Sequence, residues 1–270
     1  MRVTVVIAVV ACLFLVPKNG SAFLLERDCG KLGSTEAFGK IAGGEDTDIL
    51  SNPWMVMVMV MGNETCGGSL ITSRFVLTAA HCLSNYHMTV RLGEYDTPRA
   101  YYINVDSIIA HSRFNYTGNG EHDIGLLRMA QMVQFSDYVR PICLLLNVQM
   151  ENVLRFKVTG WGMLENGQKS KILQKTTLSK AYPLYCITQF GTSVDQSQIC
   201  AGSETSDTCV GDSGGPLSAE IIYYGEIRTV QYGIVSYGSE KCAKGGRSVN
   251  TNVANYMDWI MQVLLKIGAE

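Results

Sequence analysis

Gly211-Asp212-Ser213-Gly214-Gly215-Pro216 is the stretch on which the reading of the chain turns. A serine flanked by glycines in a tight bend can hold its hydroxyl outward, because its neighbours lack bulk. The same bend can aim backbone N–H groups at one point. Nucleophilic attack by serine needs both, since it generates an oxyanion that must meet preorganised donors. The residues after the bend bear on the fold class. A helix after the serine would make the strand–turn–helix elbow of an α/β hydrolase. Here Pro216 and an extended stretch come next, which points away from that class. The plain alternative is a glycine-rich turn with no chemistry.

Working outward, most of the chain reads as short strands between turns. Trp54 to Met61 is a continuous apolar run ended by Gly62-Asn63, as in a strand buried on both faces. Its methionines read as core filling. Phe75-Val76-Leu77-Thr78, Tyr101 to Ile109, Phe156 to Thr159 and Tyr232 to Val235 have similar length and β-branched or aromatic content. The C-terminus differs: Val253, Met257, Ile260, Met261 and Leu264 recur at helical spacing, with Asn252 placed to cap the start. Many strands and one terminal helix predict an all-β barrel or sandwich. No internal repeat of 20–50 residues and no low-complexity tract is present.

A serine hydroxyl is a poor nucleophile near neutral pH and needs a base. His81 stands in Leu77-Thr78-Ala79-Ala80-His81-Cys82, beside a cysteine able to fix its backbone. An acid to orient that imidazole is offered by Asp123 in His122-Asp123-Ile124-Gly125-Leu126-Leu127. Asp123 leads into an apolar strand, so it is expected at a buried edge, where an ionised carboxylate requires partners. Taken alone, a histidine is more often an ordinary surface or core residue.

The bulk properties define the setting. The 270 residues carry a formal net charge of −2, so no global field argues for nucleic acid or an anionic membrane. Arg2 precedes an apolar run from Val3 to Val16, and the small residues Gly20, Ser21 and Ala22 come soon after. This is the pattern of a secretory signal peptide over residues 1–22, and the run is shorter than the ~20 residues of a spanning helix. The expected location is extracellular. Of nine cysteines, Cys12 lies in that leader. Eight remain: Cys29, Cys66, Cys82, Cys143, Cys186, Cys200, Cys209 and Cys242. An even set in a secreted chain reads as disulfides, and the lack of a CxxC pair argues against zinc. Spacing alone leaves all 105 pairings open. Sequons at Asn63-Glu64-Thr65 and Asn115-Tyr116-Thr117 make Asn63 and Asn115 candidate glycosylation sites.

Thr78-Ala79-Ala80-His81-Cys82, Asp123-Ile124-Gly125-Leu126-Leu127 and Gly211-Asp212-Ser213-Gly214-Gly215-Pro216 together resemble the chymotrypsin/trypsin family of serine proteases, in the family order His, Asp, Ser. The resemblance runs from Ile41 to the C-terminal helix and makes residues 41–270 the catalytic domain. It implies an all-β fold of two six-stranded antiparallel β-barrels with the site in the cleft between them. It also implies Ser213 as nucleophile, His81 as general base and then acid, and Asp123 as the residue holding the imidazole tautomer. The oxyanion hole would be the N–H groups of Gly211 and Ser213. Ser236-Tyr237-Gly238 matches the substrate-lining strand, with Tyr where Trp is usual. The implied disulfides are Cys66–Cys82, Cys186–Cys200 and Cys209–Cys242. Cys29 and Cys143 would then tie a propeptide, residues 23–40, to the catalytic domain.

Lys40-Ile41-Ala42-Gly43-Gly44 resembles the family's activation site. The resemblance implies that cleavage after Lys40 frees the Ile41 amine to pair with Asp212, giving a zymogen. Asp207, six residues before Ser213, takes the place at the base of the primary pocket that selects Arg or Lys. Ser236, Gly238 and Ser248 complete that pocket. Ser248 replaces a glycine and is expected to narrow it, and Asn250 replaces a tyrosine. The stretch from Leu92 to His111 is shorter than the family's calcium loop and keeps Glu94 as its obvious acid, so neither metal nor cofactor is expected. The single cysteine of the expected propeptide, residues 23–40, is too few for the clip domain of some arthropod relatives. The implied partners are a protein or peptide substrate, an upstream protease cutting after Lys, and a protein inhibitor, with the chain a monomer. The competing reading is a catalytically silent relative acting as a binding or cofactor module. Retention of His81, Asp123, Ser213, Gly211 and Asp212 favours the enzyme.

Overall fold

In the computed structural model the described residues are 23–33, 45–93, 100–115, 119–146, 153–162, 169–203, 213–238 and 246–268. Twelve strands build two barrels. The first holds β1 (Met55–Val60), β2 (Asn63–Leu70), β3 (Phe75–Thr78), β4 (Met88–Gly93), β5 (Ala100–Ala110) and β6 (Gly125–Met129), closed in the order β1-β2-β3-β6-β5-β4. The second holds β7 (Arg155–Gly160), β8 (Gln174–Lys180), β9 (Gln198–Gly202), β10 (Pro216–Tyr223), β11 (Glu226–Gly238) and β12 (Arg247–Asn252). It closes as β7-β8-β9-β12-β11-β10, which is the same circuit. Every pairing around both rings is antiparallel. The expected two-barrel fold is what the chain adopts, and the two barrels share a topology without a detectable sequence repeat.

The continuous apolar run in β1 has a physical explanation in its alternation. Side chains of successive strand residues point to opposite faces. Val56 and Val58 enter the core of the first barrel with Leu70, Val76, Val90 and Leu127. Met55 and Met57 face the other way, into a second core shared with Trp161 and Ile234 of the second barrel and Ile260 of the terminal helix. Both faces are therefore dry, and each fully buried side chain of this size contributes about 1.5–3 kcal/mol. The second barrel has its own core around Phe156, Val158, Leu178, Leu217, Val230 and Tyr232.

Two helices accompany the barrels: α1 (Pro183–Phe190) and α2 (Met257–Ile267). α2 is the expected terminal helix and buries Met257, Ile260 and Val263. Its start differs from the sequence expectation. Val253 lies in a 3-10 turn, Val253–Tyr256, and Asn252 gives no side-chain cap. The Asn252 amide instead donates to the Gln196 carbonyl at 2.8 Å. The sequence reading does not anticipate α1, although Pro183 in its first turn and the left-handed Gly191 at its end are the usual start and stop residues. Eight residues are too few to show a clear period. No helix among the described residues is long and apolar enough to cross a membrane.

The segment before the barrels is held down rather than free. Phe23 and Leu24 pair antiparallel with Leu146 and Leu145. Cys29 is disulfide-bonded to Cys143, and Arg228 donates to the Cys29 carbonyl at 2.8 Å. Cys66–Cys82 and Cys186–Cys200 are also bonded. Cys209 and Cys242 lie outside the described residues, as do residues 1–22, where a leader is expected, and Lys40 and Ile41.

Away from Asp123, a buried polar contact joins the barrels: the Ser69 hydroxyl donates to Gln231 Oε1 at 2.6 Å, and Gln231 Nε2 donates to the Gly233 carbonyl at 3.0 Å. Gln231 is fully buried. Gln231→Leu should lower stability by about 1–3 kcal/mol, because it leaves the buried Ser69 hydroxyl with only the Leu77 carbonyl, at 3.5 Å. Urea melts should show a reduced midpoint that the double variant Ser69→Ala/Gln231→Leu largely restores. An unchanged midpoint for the single variant would deny the contact any weight.

Candidate active site

The strand circuit brings His81 and Asp123 together. β3 and β6 pair with Thr78 opposite Gly125, so the chain just beyond the end of β3 lies beside the chain just before β6. His81 follows β3 in a one-turn 3-10 helix, Ala80–Cys82, anchored by the Cys66–Cys82 disulfide. Asp123 precedes β6. The two are joined at two points: the His81 backbone N–H donates to Asp123 Oδ1 at 2.9 Å, and His81 Nδ1 lies 2.7 Å from Oδ2.

Asp123 is 1% exposed, as expected of an acid leading into an apolar strand. A carboxylate there has to be surrounded by donors. The second barrel supplies another: Ser236 of β11 donates its hydroxyl to Asp123 Oδ2 at 2.6 Å. Thr251 of β12 donates to the Asp123 carbonyl at 2.7 Å. An ionised carboxylate only accepts, so the imidazole presents N–H at Nδ1, and in its neutral form it would leave Nε2 with a lone pair. The His81 side chain is about one third exposed and lines a cleft of about 360 Å³ with Phe114, Thr192, Ser236 and Tyr237.

Ser213 enters from the second barrel, just before β10. Its turn is stitched to both halves of the molecule. The Ser213 carbonyl accepts from Gly67 N–H of β2 at 2.8 Å, and Gly214 N–H donates to the Val235 carbonyl of β11 at 2.8 Å. Gly214 has φ +81°, and a Cβ there would fall 2.3 Å from Thr78 Oγ1 and 2.4 Å from the Gly67 carbonyl. Only glycine allows the serine turn to lie this close to the strand that leads to His81.

The remaining site residues divide in two. Gly211, Asp212, Asp207 and Glu94 lie outside the described residues. Gly238 and Ser248 are direct partners across β11 and β12, and a Cβ on Gly238 would stand 3.4 Å from that of Ser248. Asn250, fully buried, turns its amide onto Ser248 Oγ at 3.0 Å and the Ile199 carbonyl at 3.2 Å. Ser236, read from sequence as a pocket residue, gives its hydroxyl to Asp123. Asn63, at the start of β2, and Asn115, beside the cleft, are both exposed. Sequence reading misses Thr251 and Thr192, because only strand pairing and side-chain contact single them out. Thr192 meets the Tyr237 hydroxyl at 3.1 Å, and burial raises the Tyr237 pKa, so that wall of the cleft is neutral.

Cys66, His81 and Cys82 place ligand-type atoms within 4.8 Å of one another. The two sulfurs are joined in a disulfide, so neither is a thiolate and the cluster does not suit a metal ion.

A family model described as Trypsin matches residues 41–260. The Spaetzle-processing enzyme of Drosophila melanogaster is 36% identical over 267 residues, covering 83% of this chain and 66% of its own length. The phenoloxidase-activating factor 1 of Holotrichia diomphalia is 34% identical, covering 90% and 74%. This chain thus spans just under two thirds of the first relative and about three quarters of the second. Among solved structures, the Drosophila Grass clip serine protease of the Toll pathway superposes with a TM-score of 0.77 at 29% identity, covering 93% of this chain and 76% of that one. The matched family model takes in both barrels, and on that ground the chain belongs to the trypsin family of serine proteases.

Proposed function

We propose that this chain is a secreted serine endopeptidase, made as a zymogen, that cleaves peptide bonds after Arg or Lys. The observation carrying the reading is the two-point grip of a buried Asp123 on His81, with Gly214 of the Ser213 turn packed against Thr78 and Cys82 on either side of His81. In the proposed reaction His81 Nε2 takes the proton from Ser213 Oγ as that oxygen attacks the scissile carbonyl. Asp123 stays ionised and stabilises the imidazolium. The N–H groups of Gly211 and Ser213 receive the oxyanion. His81 then passes the proton to the departing amine, and water repeats the sequence on the acyl-enzyme. No cofactor takes part.

Asp207 at the pocket base would pair with the substrate cation, and Ser248 would narrow the pocket opposite Gly238. Activation is cleavage after Lys40 by another protease. The new Ile41 ammonium would pair with Asp212 and supply a counter-charge beside the serine. The names of the relatives, a processing enzyme and an activating factor, support protein precursors as substrates and a place within a protease cascade. A protein inhibitor and a monomeric state fit the same reading, as do glycans at Asn63 and Asn115.

Three outcomes test it. Ser213→Ala should lower kcat by several orders of magnitude with substrate binding nearly intact; near-native hydrolysis of a peptide amide would remove Ser213 as nucleophile, whereas a cut native chain that hydrolyses no peptide would leave the silent module as the better reading. Asp207→Ser should abolish the preference for Arg and Lys in a peptide-library profile, since their charge would be buried unpaired. A native enzyme already preferring aromatic residues would sink this assignment.

The third concerns activation. Lys40→Gln should give a folded chain with very little activity, whereas the cut native chain should run as one species on a non-reducing gel and release residues 23–40 on reduction, through Cys29–Cys143. In the cut enzyme, pairing raises the Ile41 amine above its unfolded pKa of about 8. The resulting stabilisation is full below that value and is lost as pH climbs through the folded one, which sets the alkaline limb of activity. Equal activity of Lys40→Gln and the cut form would end the zymogen account.

A further inference from the structure

Immediately before Asp123 the backbone is under unusual constraint. His122 takes φ 57°, the left-handed region that non-glycine residues seldom occupy. The Ile124 N–H donates back to the His122 carbonyl at 2.8 Å, closing a three-residue turn centred on Asp123. The His122 ring is gripped twice. Its Nδ1 lies 3.0 Å from the Tyr256 hydroxyl, and its face stacks on His111 with centroids 4.9 Å apart and planes 23° from parallel. His111 is tied to the same turn, its backbone N–H donating to the Ile124 carbonyl at 3.1 Å. Tyr256 and Trp259 then close on the edges of the pair.

We propose that His122 is a positioning residue for Asp123, and that its stack on His111 makes the alignment of Asp123 with His81 sensitive to acid. The proposal rests on the reading of Asp123 and His81 as orienting acid and base. Tyr256 is buried, which raises its pKa, so the phenol keeps its proton beside His122 Nδ1. Among the described residues, the charged groups around the pair include Arg113 beside His111, Glu121 before His122, Asp123 after it, and Asp195 near Tyr256. Ser197 also bonds the phenol.

Protonating His111 sets a cation face-on to His122 and adds to the charge of Arg113. Burial first, then His122 and Arg113, hold the His111 pKa below its ordinary value. The unfolded chain therefore takes up this proton first. The stabilisation from neutral His111 is full above about pH 6.5 and is lost as pH falls through the folded value. Loss of the stack removes the support for a left-handed residue, and Asp123 is the next residue in the chain.

The test uses the full chain cut after Lys40, with native, His111→Phe, His122→Ala and His122→Asn forms. Phenylalanine keeps an aromatic face but cannot titrate; asparagine tolerates the left-handed region and retains a hydrogen-bonding amide. For the native enzyme, the acid limb of log(kcat/KM) against pH should be steeper than that of His111→Phe by about one unit of slope, because the native chain takes up the additional His111 proton. His122→Ala should lower kcat at pH 8 by about tenfold or more with KM little changed, and His122→Asn should recover most of it. Identical acid limbs, or full kcat in His122→Ala, would overturn the proposal. Melting temperature between pH 8 and pH 5 gives a reading independent of catalysis: the native chain should lose more than His111→Phe, and equal losses would also overturn it. A cut native chain that cleaves no peptide refutes the protease reading instead, while the melting comparison still decides the acid-sensitive stack.

Discussion

A carboxylate that is 1% exposed has to be satisfied by hydrogen bonds, and Asp123 draws them from both halves of the molecule. Its two oxygens accept from the His81 backbone, the His81 ring and the Ser236 hydroxyl, and its carbonyl accepts from Thr251. Stranding such a charge by removing a partner costs about 3–5 kcal/mol. The first barrel supplies the acid and the imidazole, and the second supplies Ser236 and Thr251. The docking of the barrels and the protonation pattern of the site are thus one constraint. Neither barrel satisfies Asp123 by itself.

The rest of the interface is arranged around that requirement. The methionines of β1 face the shared core, so the strand is apolar on both sides, with the valines filling the first barrel. Ser69 and Gln231 add a buried hydrogen bond across the seam. The serine turn is held by Gly67 from one barrel and Val235 from the other. Small residues at the seam, Gly67, Gly214 and Gly215, let the backbones approach closely enough for these bonds to form. Side chains there would separate the serine turn from the strand that leads to His81.

The segment before the barrels obeys a different logic. Residues 23–33 contribute little core of their own and are secured by a disulfide, a two-residue strand pair and the Arg228 guanidinium. The disulfide spans 114 positions, and closing so long a loop constrains the unfolded chain strongly. The anchor lies on the second barrel, where Cys143 also forms a backbone bridge with Val230. Covalent attachment there holds the segment whether or not the chain is cut at a later residue.

Some of this was legible in residue order. The glycine-flanked Ser213, the His81 beside Cys82 and the Asp123 before an apolar strand are local patterns whose chemistry needs no coordinates. The short strands and terminal helix announced themselves by period and composition. Tertiary structure decided what depends on partners distant in sequence. Asn252 looked like a helix cap but bonds Gln196, because the strand it ends brings that carbonyl within reach. Ser236 lines the cleft, and what residue order does not show is that its hydroxyl also bonds Asp123, 113 positions away. Thr251 and the stacked His111 and His122 carry no local signal at all. Sequence determined which side chains could do chemistry, since that is a property of each residue and its neighbours. Only the closing of two antiparallel barrels decided which of them meet, because strand pairing joins residues by register rather than by separation along the chain.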